Sequence, residues 1–135
     1  MPITTELPVL DLLTMVEDGP QRHGAQIMAL MDDTVSYQFH VPTAETVTGP
    51  QAVFDELLRQ TDHYSDLHFE IKTVSATAPR VVVERYDSFV WPANGARVGY
   101  PVAAVFDLTP DGRIAAWREY WDRGELMSQV DAASR

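Results

Sequence analysis

Residues 80–91 read Arg-Val-Val-Val-Glu-Arg-Tyr-Asp-Ser-Phe-Val-Trp. In an extended chain Val81, Val83, Arg85, Asp87 and Phe89 share one face, so this stretch predicts a strand from about Arg80 to Trp91. Asn94-Gly95 follows it, a strong hairpin turn signal. A return strand from Arg97 to Leu108 therefore pairs with the first. Asp111-Gly112 marks the next reversal and leads into a last strand from Ile114 to Asp122. Upstream, Leu67, Phe69, Ile71 and Thr73 alternate with His68, Glu70 and Lys72, the pattern of a strand with one wet face.

The period changes toward the N-terminus. Val53, Phe54, Leu57 and Leu58 supply one apolar helix face behind Gly49-Pro50, a helix start. Val35 to Val41 reads as extended. Ile27, Met28, Leu30 and Met31 suggest a helix that ends at Asp32-Asp33, and Val9, Leu12, Leu13 and Val16 an earlier one before Gly19-Pro20. A short helix around Glu125 to Val130 lies across one end of the sheet, and Asp131 to Arg135 read as a frayed tail. Helices first and a long meander afterwards is the segregated α+β pattern, with helices stacked on one face of a curved sheet that closes over a cavity.

Length and composition set the outer bounds. A chain of 135 residues with 45% hydrophobic content buries one core, so residues 1–135 are expected to form a single domain. Twenty acidic residues against ten basic ones give a net charge of −10, which repels phosphate backbones and argues against nucleic acid as a partner. The absence of cysteine excludes disulfides, thiolate metal sites and cysteine nucleophiles, and a reducing cytoplasm suits such a chain. Met1 to Asp18 carries acids rather than a basic stretch before an apolar core, so neither export by a visible signal nor membrane insertion is expected. His23, His40, His63 and His68 show no metal-helix pairing, and their expected places are on the surface or behind a site. No phosphate loop, nucleophile-elbow serine or dinucleotide fingerprint is present.

Two charges on the apolar face of residues 80–91 carry the functional signal. If Val81, Val83 and Phe89 point inward, Arg85 and Asp87 do too, and unpaired ions there would cost several kcal/mol, so they are either paired or on the solvent face with the valines as the exception. Trp117, Glu119 and Trp121 project together on the last strand, which makes Glu119 a second acid among large rings. Two acids and one arginine converging in one pocket is the arrangement acid/base chemistry needs. The same three residues read equally well as a structural ion network in a core or a dimer interface. Tyr37 shares a face with Phe39 and can present its hydroxyl to the pocket or satisfy it on a backbone carbonyl.

Val83-Glu84-Arg85-Tyr86-Asp87, followed about thirty residues later by Trp117-Arg118-Glu119-Tyr120-Trp121-Asp122, resembles the paired signatures of the limonene epoxide hydrolase family. Val105-Phe106-Asp107-Leu108 and Tyr37-Gln38 fall in that family's order as well. The resemblance implies a cone-shaped fold of the nuclear-transport-factor-two type, shared with polyketide cyclases, in which a mixed or antiparallel sheet surrounds an apolar pocket. It implies Asp87 as the acid that protonates an epoxide, Arg85 as the bridge, Glu119 as the base and Tyr37 as a holder of the attacking water. It implies no metal and no organic cofactor, a hydrophobic small-molecule substrate held by Phe39, Phe69, Phe89, Tyr100, Val102 and Trp121, and pairing of two copies through the outer face of the sheet. Two positions depart from the family's pattern. Glu119 stands where the family has aspartate, and Phe39 where it has a water-holding asparagine, with His40 next in line. The second departure favours a substrate hydroxyl as nucleophile, as in epoxide-opening cyclases that resemble these hydrolases. A non-catalytic binding or dimerisation domain is the reading from a different class.

Overall fold

The structure, a computed structural model, describes residues 5–133. Helix α1 (Leu7–Asp18) has a proline in its first turn, where a missing N–H leaves no bond unmade, and ends on Gly19 at φ 127°. One helical turn at Pro20–Arg22 leads into α2 (Gly24–Ala29). This second helix is shorter than its apolar spacing suggests, because Met31–Asp33 already belong to strand β1 (Met31–Gln38). Met31 pairs with Ile114 across the sheet, and that tertiary partner overrides the local helical pattern. β1 also stops at Gln38, short of Val41, and the backbone N–H of Val41 turns to donate to the carbonyl of Glu119 at 3.0 Å.

Strand β2 (Val47–Thr48) is a short edge on β1, and Gly49-Pro50 starts helix α3 (Pro50–Thr61) as the sequence predicts. Strands β3 (Ser65–Thr77), β4 (Arg80–Trp91), β5 (Ala96–Leu108) and β6 (Ile114–Trp121) form the antiparallel meander. Gly95 and Gly112, at φ 72° and 86°, make its last two reversals. Helix α4 (Arg123–Ala133) follows, with the Asp122 carboxylate accepting the N–H of Glu125 at 3.0 Å as an N-terminal cap. Asp131 to Ala133 thus lie in a helix rather than in a frayed tail, and residues 134–135 lie outside the described residues.

The sheet has the order β2-β1-β6-β5-β4-β3, with β1 and β6 parallel and every other neighbour antiparallel. It is a curved, open, mixed sheet with helices on one face, the α+β architecture expected. Val9, Leu12, Leu13 and Val16 of α1 and Val53 and Leu57 of α3 bury against Val81, Val83, Ala104, Phe106 and Ile114 of the sheet. β3 departs from its predicted single wet face. Leu67 and Phe69 pack on the core, but Ile71 and Val74 are exposed, since β3 is an edge strand whose far half runs past the helices. Its register on β4 also shifts between Ile71 and Thr73. Among the described residues no helix is long and apolar enough to cross a membrane.

Candidate active site

Alternation on β4 turns Arg85 and Asp87 inward beside Val81 and Val83, and alternation on β6 turns Trp117 and Glu119 to the same side. β5 lies between the two strands, so a long side chain is needed to cross it. Arg85 does so. Its Nε and Nη2 donate to the two oxygens of Asp87 at 2.7 and 3.0 Å, and Nη2 also donates to Oε2 of Glu119 at 2.6 Å. The bidentate fork fixes the guanidinium plane. Trp117 donates its indole N–H to the same Oε2 at 3.0 Å. Both hydrogen bonds on Glu119 therefore fall on Oε2. Oε1 meets no donor among the described residues, and it is not sealed in the protein, since the one buried side-chain polar atom without a partner there is Nη1 of Arg85.

All three ions are at least nine-tenths buried, with Arg85 2%, Asp87 4% and Glu119 6% exposed. Burial pushes the Asp87 carboxyl up to about 6, against the opposing pull of the Arg85 guanidinium and with help from the Glu119 charge. Burial opposes charge on Arg85 as well, yet its two carboxylate partners hold it protonated, above its ordinary value. One guanidinium faces two carboxylates, so the cluster is neutral when the acids share a single proton. The ring of Phe69 covers the guanidinium at 4.8 Å and keeps water from that side.

The cluster opens into a cavity of about 330 Å³ between the sheet, α3 and α4. Tyr37, Phe39, Phe69, Phe89, Tyr100 and Trp121, predicted for this wall, all line it. Val102 does not. It is buried on the same face, and its register neighbours Arg85 and Trp121 line the cavity in its place. Tyr37 is stacked on Trp117 at 4.1 Å, and its oxygen accepts an N–H of Gln60 at 3.2 Å rather than pairing with a backbone carbonyl. Burial, and the Glu119 charge, hold its phenol well above the ordinary value, so it remains a donor. His40, expected on the surface or behind the site, is buried behind it. Its Nε2 donates to the Trp121 carbonyl at 3.0 Å and its Nδ1 lies 2.6 Å from the Thr43 hydroxyl, so the cavity meets Phe39 and not His40.

Gln60, Tyr64 and one contact of Trp117 escaped the sequence. Gln60 reaches the cavity from α3, one turn beyond Leu57, and helical spacing from Val53 and Leu57 was the available signal. Its amide N–H also donates to Glu56 at 2.9 Å, which orients the amide. Tyr64 sits in the bend between α3 and β3, where no period applies. Trp117 was legible as a neighbour of Glu119, its hydrogen bond to that carboxylate was not.

The family model described as the limonene-1,2-epoxide hydrolase catalytic domain matches residues 13–132. The comparison with curated proteins gave no match. Among solved structures, an LEH-like epoxide hydrolase of M. tuberculosis is 21% identical, with 96% of this chain and 90% of that one covered at a TM-score of 0.77. The epoxide hydrolase/cyclase-like enzyme SalBIII, described for pyran ring formation in polyether salinomycin, is 19% identical over 90% of this chain and 92% of its own, at a TM-score of 0.72. A protein with a ketosteroid isomerase-like fold from Catenulispora acidiphila reaches a TM-score of 0.81 at 15% identity, with 95% of each chain covered. At these identities the likeness is one of fold, and the fold is of the nuclear-transport-factor-two and SnoaL-like type.

Proposed function

The chain belongs to the limonene-1,2-epoxide hydrolase family, whose catalytic-domain model spans the entire ion cluster, and from that premise we propose that it opens a hydrophobic epoxide by concerted acid/base catalysis. The observation that carries the proposal is one guanidinium shared by two carboxylates at the end of an apolar cavity, with the Asp87 carboxyl pushed up to about 6. At pH 7 about a tenth of the molecules then hold the Asp87 proton, and a bound apolar substrate that displaces water raises that fraction.

In the proposed reaction Asp87 gives its proton to the oxirane oxygen as the carbon–oxygen bond breaks. Glu119 takes a proton from water through Oε1, the oxygen that Arg85 and Trp117 leave free, as that water bonds to the ring carbon. The product is a vicinal diol. Arg85 donates to both acids throughout and holds them in one geometry, a role lysine could not fill with the same fork. The cycle closes when the proton on Glu119 is exchanged for one on Asp87. The aromatic wall holds the carbon skeleton by apolar contact.

Phe39 supports a second reading. A phenylalanine at the position of the family's asparagine cannot hold a water, and a hydroxyl of the substrate would then attack, giving a ring ether with the same acid and base. Turnover of a panel of hydrophobic epoxides in heavy-oxygen water separates the two. One label in a diol is the expected result, an unlabelled ring ether would establish the cyclase, and failure of the folded protein to turn over any epoxide, including epoxy alcohols, would overturn both.

A further inference from the structure

Two phenols stand beside Asp87 with no hydrogen-bond partner among the described residues. Tyr100 is the direct register partner of Asp87 across β4 and β5, so the two side chains leave the sheet on one face as neighbours. Tyr64 stacks on Phe89 at 4.2 Å, and Phe89 follows Asp87 by two residues on that face. Phe89 meets Tyr100 edge-on at 6.3 Å, so the two phenols flank one ring on the acid's side of the cavity, and both line it. Tyr37 is paired through Gln60, whereas neither Tyr64 nor Tyr100 has a hydrogen-bond partner among the described residues. Their hydroxyls are not sealed in the protein, since the one buried side-chain polar atom without a partner there is Nη1 of Arg85, so both are open to a ligand in the cavity. Burial raises both phenols above their ordinary value, so they stay protonated donors across the working pH range.

Donors and acceptors on this wall do not balance for a plain hydrocarbon epoxide. An oxirane oxygen brings two lone pairs, of which Asp87 takes one. The acid and two phenols present three donors, so at least one finds no acceptor on the ligand when the ligand has a single oxygen. A donor desolvated and unpaired by the bound ligand weakens binding. We propose that the substrate carries a second oxygen acceptor beside its oxirane, a hydroxyl, ether or carbonyl, which the hydroxyls of Tyr64 and Tyr100 hold. The proposal rests on the epoxide-opening reading and narrows its substrate class from terpene-like hydrocarbon epoxides to oxygenated ones.

The test uses a matched pair of cyclic epoxides of one skeleton, with and without a carbonyl two carbons from the oxirane. Their kcat/KM values are measured with the parent protein, Tyr64→Phe, Tyr100→Phe and the double variant, each checked for native circular dichroism. Binding of the corresponding oxirane-free ketone and hydrocarbon is followed in parallel by tryptophan fluorescence. The parent is expected to favour the oxygenated epoxide by about tenfold or more, the worth of one well-made hydrogen bond. In the double variant that ratio falls toward one, chiefly through KM. Equal kcat/KM for both epoxides in the parent, or a ratio that survives the double substitution, overturns the proposal. So does an equal loss of kcat on both, which would put the phenols on the oxirane oxygen itself. If neither epoxide reacts but the ketone binds more tightly than the hydrocarbon, in a tyrosine-dependent way, oxygen recognition stands and the epoxide reading is what has failed.

Discussion

Arg85 binds two carboxylates in a space where none of the three is more than a few per cent exposed, and most of the site's behaviour follows from that one side chain. Removing it leaves Asp87 and Glu119 facing each other with no compensating charge. Arg85→Leu is therefore expected to destabilise the fold by about 3–5 kcal/mol at pH 7, the usual cost of breaking a buried pair from one side. Urea denaturation measures it, and a loss below about 1 kcal/mol would mean that the acids are solvated rather than paired. At this scale the sequence was informative wherever a side chain broke the character of its own strand face. Arg85, Asp87 and Glu119 are charges in apolar alternation, so parity put each on the face of its apolar neighbours, and the fold shows that this face is the inner one. Gln60 breaks no pattern, and helical spacing from Leu57 is its one signal, whereas Tyr64 lies in a bend where no period applies, so only the folded chain brings it to the cavity. Phe39 and His40 were ambiguous for a related reason: β1 ends at Gln38, so strand parity no longer assigns their faces.

Among the elements, β4 is the one on which the site depends, since its inner face runs from core valines to the acid. The alternation is open to direct test. Val83 is fully buried and Val82 is 36% exposed, so the same substitution at adjacent positions should have opposite consequences. Val83→Thr buries a hydroxyl without a partner and is expected to cost about 1–3 kcal/mol, while Val82→Thr stays within about 0.5 kcal/mol of the parent. Thermal melts of the two variants decide it, and similar losses at both positions would contradict the register. The meander was legible because Asn94-Gly95 and Asp111-Gly112 mark its turns and period two marks its strands. Three features were not. The boundary between α2 and β1 depends on the pairing of Met31 with Ile114, β3 keeps its alternation past the end of the helical cover, and the parallel pairing of β1 with β6 has no local signal at all.

At the scale of the whole molecule, the site has a thermodynamic signature in pH. The Asp87 carboxyl lies at about 6 in the folded chain against an ordinary value of 3.8. The folded state holds that proton more tightly than the unfolded one, so the stabilisation from Asp87 is complete below about pH 4 and is lost as pH rises through about 6. The loss comes to about 3 kcal/mol at neutral pH. Asp87→Asn removes the titration without removing the side chain's shape. It is expected to be more stable than the parent by about 1–3 kcal/mol at pH 7.5, with the advantage shrinking as pH falls below about 5, as urea midpoints across pH would record. A parent that remains the more stable protein at every pH would mean that Asp87 is kept for structure. On the proposed reading, the stability lost at neutral pH is the cost of an acid that titrates near the working range beside a base, and turnover tests it most directly. The measurement is kcat/KM for epoxides of the panel at pH 6 with the parent and with Asp87→Asn. Acid/base opening predicts turnover by the parent and a loss of at least about 100-fold in the variant, with secondary structure unchanged. Turnover within twofold of the parent in Asp87→Asn would contradict it.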